Sequence, residues 1–317
     1  MNSWCTIESD PAVFEEMIHR FGAENVAVGE LLDLDFDAEY FKELGRVFGF
    51  IFLFKWVGGP AKGSREYFTD PNVFFARQVV QNACATQAIL SVLFNNLPAI
   101  KLNEELTNLA QFSEQLDPTS RGMAIGESPG VREIHNSFAR QDPFQFVRSK
   151  DGEKEDAYHF VGFVFKDGKV LELDGLQEAP IALQAEGLTE QNWMKAVLDE
   201  IRSRAQTYAE NEIRFTLLVL SDNQQHIAKK RLEEIETLLK DETLEENESN
   251  RLLGEKVLLE EKLEDLARQQ KIRTEENERR KHDYMPLIFA LLEETAKTGQ
   301  LESLLDAAEE KFKPKST

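Results

Sequence analysis

The sequence predicts an α+β domain followed by an all-helical segment. Three observations predict it. Two apolar runs, at 158–165 and 169–174, flank Lys166-Asp167-Gly168, the Asp-Gly turn of a β-hairpin. Helix and strand patterns occur without the regular βαβ alternation of a parallel sheet. Charge density also changes near Ser221: 41 of the 96 residues in 222–317 are charged, against 54 of the first 221. The expected division is therefore 1–221 and 222–317.

The elements follow in order. Ser9-Asp10-Pro11 precedes Val13, Phe14, Met17, Ile18 and Phe21, which gives a helix start: a capping side chain, then proline at the first helical position. Residues 48–56 read as a buried strand. The longest apolar stretch, 47–54, ends at Lys55 and is far too short to span a bilayer, so no membrane contact is expected. Residues 85–94 form an apolar helix, and 103–112 and 190–208 form amphipathic ones. The hairpin folds Asp174 back beside His159. Residues 212–220 are the last strand. Just before the hairpin, 141–157 carry five acidic and three basic residues, a loop of a length that is either functional or disordered. In the tail, Leu232, Ile235, Leu238 and Leu239, then Leu252, Leu259 and Leu266, build an apolar stripe, with a turn expected at 241–250. Pro286 opens a further apolar segment at 287–292. The stripe suits a self-contained helical hairpin and a docking surface equally.

Composition narrows the chemistry. The chain has 317 residues, 41% of them hydrophobic, enough for one medium domain and a smaller module. Its two cysteines, Cys5 and Cys84, argue against a disulfide framework and for a reducing compartment. Nothing at the N-terminus reads as a signal peptide. The five histidines are scattered and no Cys-x-x-Cys occurs, so no metal or other cofactor is expected. A net charge of −21 disfavours nucleic-acid binding. It suits a basic protein partner, or simply solubility.

Three polar residues stand at the edges of apolar elements. Cys84, in Gln78…Asn82-Ala83-Cys84-Ala85-Thr86-Gln87, sits where a helix begins, and helix starts favour a thiolate, the nucleophilic form. His159 opens His-Phe-Val-Gly-Phe-Val-Phe, and Asp174 closes Val-Leu-Glu-Leu-Asp-Gly. Singly, each has an ordinary alternative: an inert core thiol, a satisfied strand histidine, a turn aspartate. Together, in this order, they suggest a thiol hydrolase in which His159 activates Cys84 and Asp174 orients His159. Gln78 and the Cys84 backbone N–H are placed to stabilise an oxyanion. Cys5 beside Trp4 reads as packing. His19 lies in a helix, His135 and His226 lack suitable companions, and His282 reads as surface beside a basic cluster that also resembles a nuclear signal.

These stretches resemble the ubiquitin C-terminal hydrolases. Trp4-Cys-Thr-Ile-Glu-Ser-Asp-Pro, the run from Phe74 through Gln87, His135-Asn-Ser-Phe-Ala-Arg-Gln, His159-Phe-Val, Glu172-Leu-Asp-Gly-Leu and, in the tail, Arg279-Arg-Lys-His-Asp-Tyr-Met-Pro-Leu-Ile carry the likeness over almost the whole chain. The tail narrows it to the proteasome-associated kind. The resemblance implies a knotted, papain-like core with a helical regulatory and docking domain after it. It implies hydrolysis of isopeptide or peptide bonds after the ubiquitin C-terminus, with Cys84 as nucleophile, His159 as base, Asp174 as its orienter and Gln78 as oxyanion donor. The 141–158 loop corresponds to the family's crossover loop. Implied partners are ubiquitin and its chains, a proteasomal ubiquitin receptor bound by the C-terminal helices, and in some organisms a chromatin-remodelling complex, with cytoplasmic and nuclear location. Leu34, Ile213 and Phe215 are either contacts for an apolar patch of ubiquitin or ordinary core. Two other readings stay open: a non-catalytic ubiquitin-binding adaptor, and a hydrolase for another ubiquitin-like modifier.

Overall fold

The computed structural model describes residues 3–55, 66–139, 158–208, 215–240 and 245–312. In chain order the elements are α1 (Pro11–Arg20), β1 (Val26–Glu30), α2 (Ala38–Glu43), β2 (Val47–Lys55), α3 (Cys84–Asn95), α4 (Glu104–Ser113), α5 (Pro118–Glu127), α6 (Pro129–Asn136), β3 (Tyr158–Lys166), β4 (Lys169–Leu173), β5 (Ile181–Ala182), α7 (Trp193–Tyr208), β6 (Phe215–Asp222), α8 (Gln224–Leu238), α9 (Glu246–Lys281), α10 (Met285–Lys297) and α11 (Leu301–Phe312). The strands form one antiparallel sheet in the order β1-β6-β2-β3-β4-β5. This is the α+β core with a helical extension that the sequence predicts.

Helices cover both faces of the sheet, which explains why β2, β3 and β6 read as nearly continuous apolar runs. Alternate residues serve two cores. Ile51, Leu53, Phe160, Val164, Leu218 and Leu220 pack with α1 and α3; Phe50, Phe52, Val161, Phe163, Leu217 and Val219 pack with α7 around Trp193. Each fully buried phenylalanine, such as Phe14, Phe50 or Phe163, contributes about 1.5–3 kcal/mol by leaving water. α3 reaches the sheet at two glycines. A Cβ at Gly49 would lie 2.6 Å from the Phe163 carbonyl oxygen and 2.7 Å from the Val92 side chain, so only glycine admits that approach.

The local signals act as their chemistry requires. Asp10 Oδ1 accepts from the Ala12 N–H at 2.8 Å and starts α1. Asn103 caps α4 through Leu106 N–H at 2.9 Å. At the hairpin turn Asp167 and Gly168 both have positive φ, 50° and 76°, and Lys166 pairs with Lys169, the geometry of a two-residue turn. The edges differ by a few residues. β2 spans Val47–Lys55, Trp56 lying outside the described residues, and the last strand starts within them at Phe215. α7 starts at Trp193 rather than at 190, because Thr189 and Asn192 close a turn there.

The tail departs from expectation in two respects. α9 already begins at Glu246, so the break predicted at 241–250 is shorter. Leu238 is 45% exposed, off the stripe that Ile235 and Leu252 bury. α8 and α9 run antiparallel, linked by Arg231–Glu255, Lys256–Glu236 and Lys262–Gln224. Near its C-terminal end α9 turns polar on its inner face and docks on α1. There Arg273 Nη1 donates to Glu15 Oε2 at 2.7 Å, and Asn277 Nδ2 donates to the Ala12 carbonyl at 2.9 Å.

Candidate active site

Cys84 is the first residue of α3, and Ala83 ahead of it offers no side-chain cap. The first N–H groups of the helix therefore have no side-chain acceptor and point toward the thiol end. Asn82 stands in the left-handed region with φ 63°, where asparagine is tolerated better than most residues, and its amide donates to the Trp4 carbonyl at 3.0 Å. That turn aims the chain into α3.

His159 lies at the start of β3, and Asp174 follows the end of β4. The hairpin brings them together across 15 residues of chain: His159 Nε2 is 2.6 Å from Asp174 Oδ1. Cys84 stands close enough to the same imidazole to favour its charged form. The pairing of Nε2 with the carboxylate leaves Nδ1 as the nitrogen for sulfur. His159 and Asp174 are both buried, at 5% and 6% exposure. Burial opposes the charged imidazole, yet hydrogen bonds to Asp174 and Cys84 and their negative charge outweigh it and raise His159 to about 9. Burial also works against the Asp174 carboxylate. His159, the Leu176 N–H at 3.0 Å and the Gln177 amide at 3.0 Å overcome it and hold Asp174 below the usual carboxylate range.

Gln78 is half-buried on the extended segment that runs into the site, and its amide donates to the Val80 carbonyl at 3.1 Å. Three contacts fix that segment. Asn95 exchanges two bonds with Phe74, at 2.9 and 2.8 Å; Gln87 donates to the Ala76 carbonyl at 2.5 Å; and the Gln78 N–H donates to the Gly175 carbonyl at 2.8 Å. Helix α3, the Gln78 segment and the loop after Asp174 thus meet at Gly175. A Cβ there would overlap the Gln87 amide and sit 3.1 Å from Gln78 N. The sequence reading did not single out Gln87, Asn95, Gly175 or Gln177. Only the glycine after Asp174 carried a local hint of close approach.

His135 needs correction. It has companions: its ring nitrogens lie 2.7 Å from Thr86 Oγ1 and 2.7 Å from the Cys5 carbonyl, and Trp4 meets its edge. Burial keeps it neutral by pushing its pKa down. It ties the N-terminal segment to α3, two residues from Cys84. Leu34 and Phe215 both pack partly buried against the core around Trp193. Ile213 and the 141–157 loop lie outside the described residues. A groove of about 630 Å³ opens between residues 6–11 and a floor of Leu53, Tyr158, Phe160 and Phe215, with Tyr158 and Phe160 flanking His159 along β3 and Glu8, Asp10 and Glu30 among its lining residues. Among the described residues no three His, Cys, Asp or Glu side chains gather where a metal ion would sit.

Residues 4–206 match the family "Ubiquitin carboxyl-terminal hydrolase, family 1". The chain belongs to this family. The hydrolase also matches, at 259–301, a tail family described as "Ubiquitin carboxyl-terminal hydrolases". It is 40% identical to ubiquitin carboxyl-terminal hydrolase ubh-4 of Caenorhabditis elegans, over 99% of this chain and 94% of that one. It is 38% identical to isozyme L5 of Dictyostelium discoideum, over 98% and 97%. Its fold is similar to that of Trichinella spiralis UCH37 bound to ubiquitin vinyl methyl ester, with a TM-score of 0.63 and 33% identity, covering 84% of this chain and all of that one. The hydrolase is thus a thiol-dependent deubiquitinating enzyme of the papain-like type.

Proposed function

We propose that Cys84, His159 and Asp174 are its catalytic triad and Gln78 its oxyanion donor. The observation that carries this is the single imidazole bonded to a buried carboxylate and held near enough to the only thiol at a helix start among the described residues to be favoured as imidazolium by it. His159 takes the Cys84 proton. The sulfur attacks the carbonyl carbon after ubiquitin's last residue, and the carbonyl oxygen becomes an oxyanion beside the Cys84 N–H and Gln78. Imidazolium then protonates the departing amine, the C–N bond breaks, and a thioester remains. Water, deprotonated by His159, attacks it, releasing ubiquitin's carboxylate and the thiol. The groove, apolar on its floor and acidic on its rim, suits the extended basic tail of ubiquitin, and Leu34, Ile213 and Phe215 suit its apolar patch.

The second part, 222–317, is proposed to dock the enzyme on a proteasomal ubiquitin receptor and, as a further partner, a chromatin-remodelling complex, which places it in cytoplasm and nucleus. The support is chemical. α10 buries none of its residues, and Leu287, Phe289, Leu291, Leu304 and Leu305 stay more than half exposed across α10 and α11. A ubiquitin carrying a C-terminal electrophile tests the catalytic reading: it labels Cys84 in the folded chain, and Cys84→Ala abolishes turnover while retaining ubiquitin. A folded chain that forms no adduct rejects the triad. Retained biological activity in Cys84→Ala would favour an adaptor, and faster cleavage of another ubiquitin-like tag would reassign the substrate.

A further inference from the structure

We infer that Arg280, in the last turn of α9, is a positioning residue for the substrate: it braces the acidic wall of the groove. This rests on the hydrolase reading above. The wall, residues 6–11, has no regular secondary structure until α1 begins. Its flanks are tied to the core by the Cys5 N–H, which donates to Asn136 Oδ1 at 3.0 Å, and by Asp10 Oδ1, which caps α1. Glu8, between those ties, and Asp10, through its other oxygen, both turn toward α9. Arg280 Nη2 donates to Asp10 Oδ2 at 2.8 Å, and its Nε lies 3.2 Å from Glu8 Oε2. Two carboxylates two residues apart repel each other, and a guanidinium, with donors spread over a planar fork, can engage both at once.

The brace has a firm foundation. Asn277, one turn earlier, is 3% exposed and donates to the Ala12 carbonyl and to Glu16. Lys281 pairs with Glu16, and Arg273 with buried Glu15. The end of α9 is therefore fixed to α1, and Arg280 carries that fixed position to the wall opposite Tyr158 and Phe160, the two neighbours of His159 in β3. A helix of the tail thus shapes the approach to the site without touching the reacting atoms.

The test is steady-state hydrolysis of a fluorogenic amide of ubiquitin's C-terminus by the full chain. Arg280→Ala is expected to raise KM roughly three- to fivefold, the size of one partly exposed charge contact, with kcat unchanged. Arg280→Lys, a point charge instead of a fork, falls between. Arg268→Ala, on the same helix but 71% exposed and paired only within it, leaves KM unchanged. Alkylation of Cys84 by iodoacetamide, which needs the reactive thiol but not the groove, keeps its rate in Arg280→Ala. An unchanged or lower KM in Arg280→Ala overturns the inference. So does a fall in kcat and alkylation together, which would mean damage to the triad. If Arg280→Ala does not fold, Glu8→Gln reads the same wall and should raise KM, an unchanged value again overturning the brace. Failure of the hydrolase reading looks different: the unsubstituted chain itself then shows no turnover and no adduct.

Discussion

At the scale of single residues, Asp174 is what keeps His159 charged at neutral pH. The imidazole is held at about 9, so the proton needed by the leaving amine is lost as pH rises through that value. The same pair links pH to stability. The folded pKa lies above the unfolded one of about 6.5, so its contribution is complete below pH 6.5 or so and fades as pH climbs through 9. Asp174→Asn removes the charge and weakens the bond, and leaves burial, which disfavours imidazolium, less opposed. We expect the alkaline limb of the kcat/KM profile to move to lower pH, and kcat to drop roughly 10²- to 10⁴-fold. A profile with an unmoved alkaline limb would show that Asp174 does not set the ring's protonation. Cys84, His159 and Asp174 stood out in the sequence because each is a lone polar residue closing or opening an apolar run. Gly175 and Gln87 did not, since their roles exist only once distant segments meet, and Gln177, whose amide reaches back three residues to Asp174, carried no pattern of its own. His135 was misread for the same reason: its partners, Thr86 and the Cys5 carbonyl, are 49 and 130 residues away.

At the scale of elements, α3 is more than a pedestal for sulfur. Through Asn95 it grips the extended segment that leads to Gln78, replacing the strand that segment lacks. Asn95→Ala would leave the buried N–H and carbonyl of Phe74 unpaired. The expected loss is about 2–4 kcal/mol, read as a lower denaturation midpoint, with a fall in kcat as Gln78 loosens. A stable variant with unchanged kcat would refute that grip. Long elements with a clear period or cap were readable in advance: α1, α4, α7, the hairpin and the tail stripe. β1, α2, α5 and α6 were passed over. β1 has five residues and lies at the sheet edge, too short for a decisive alternation. α5 and α6 carried readable starts, Asp117-Pro118 and Ser128-Pro129, each a capping side chain followed by proline, but little apolar surface to announce a helix.

At the scale of the whole molecule, the tail and the sheet domain are stitched by charge rather than by an extended apolar seam. Glu15, 4% exposed, accepts both the Val28 N–H at 2.9 Å and Arg273 of α9. Arg273→Ala strips a buried carboxylate of its cation and should cost about 1–3 kcal/mol in urea unfolding, more than the surface change Lys271→Ala. Equal midpoints for the two variants would show that α9 rests on α1 without depending on that pair. The sheet order has a consequence for how the enzyme is made. β6, the last strand among the described residues, lies between β1 and β2, and Val26 pairs with Asp222. A nascent chain that has emerged only through β5 therefore holds two open edges where its central strand belongs. Such a fragment invites chaperones or foreign strands until residue 222 has cleared the exit tunnel.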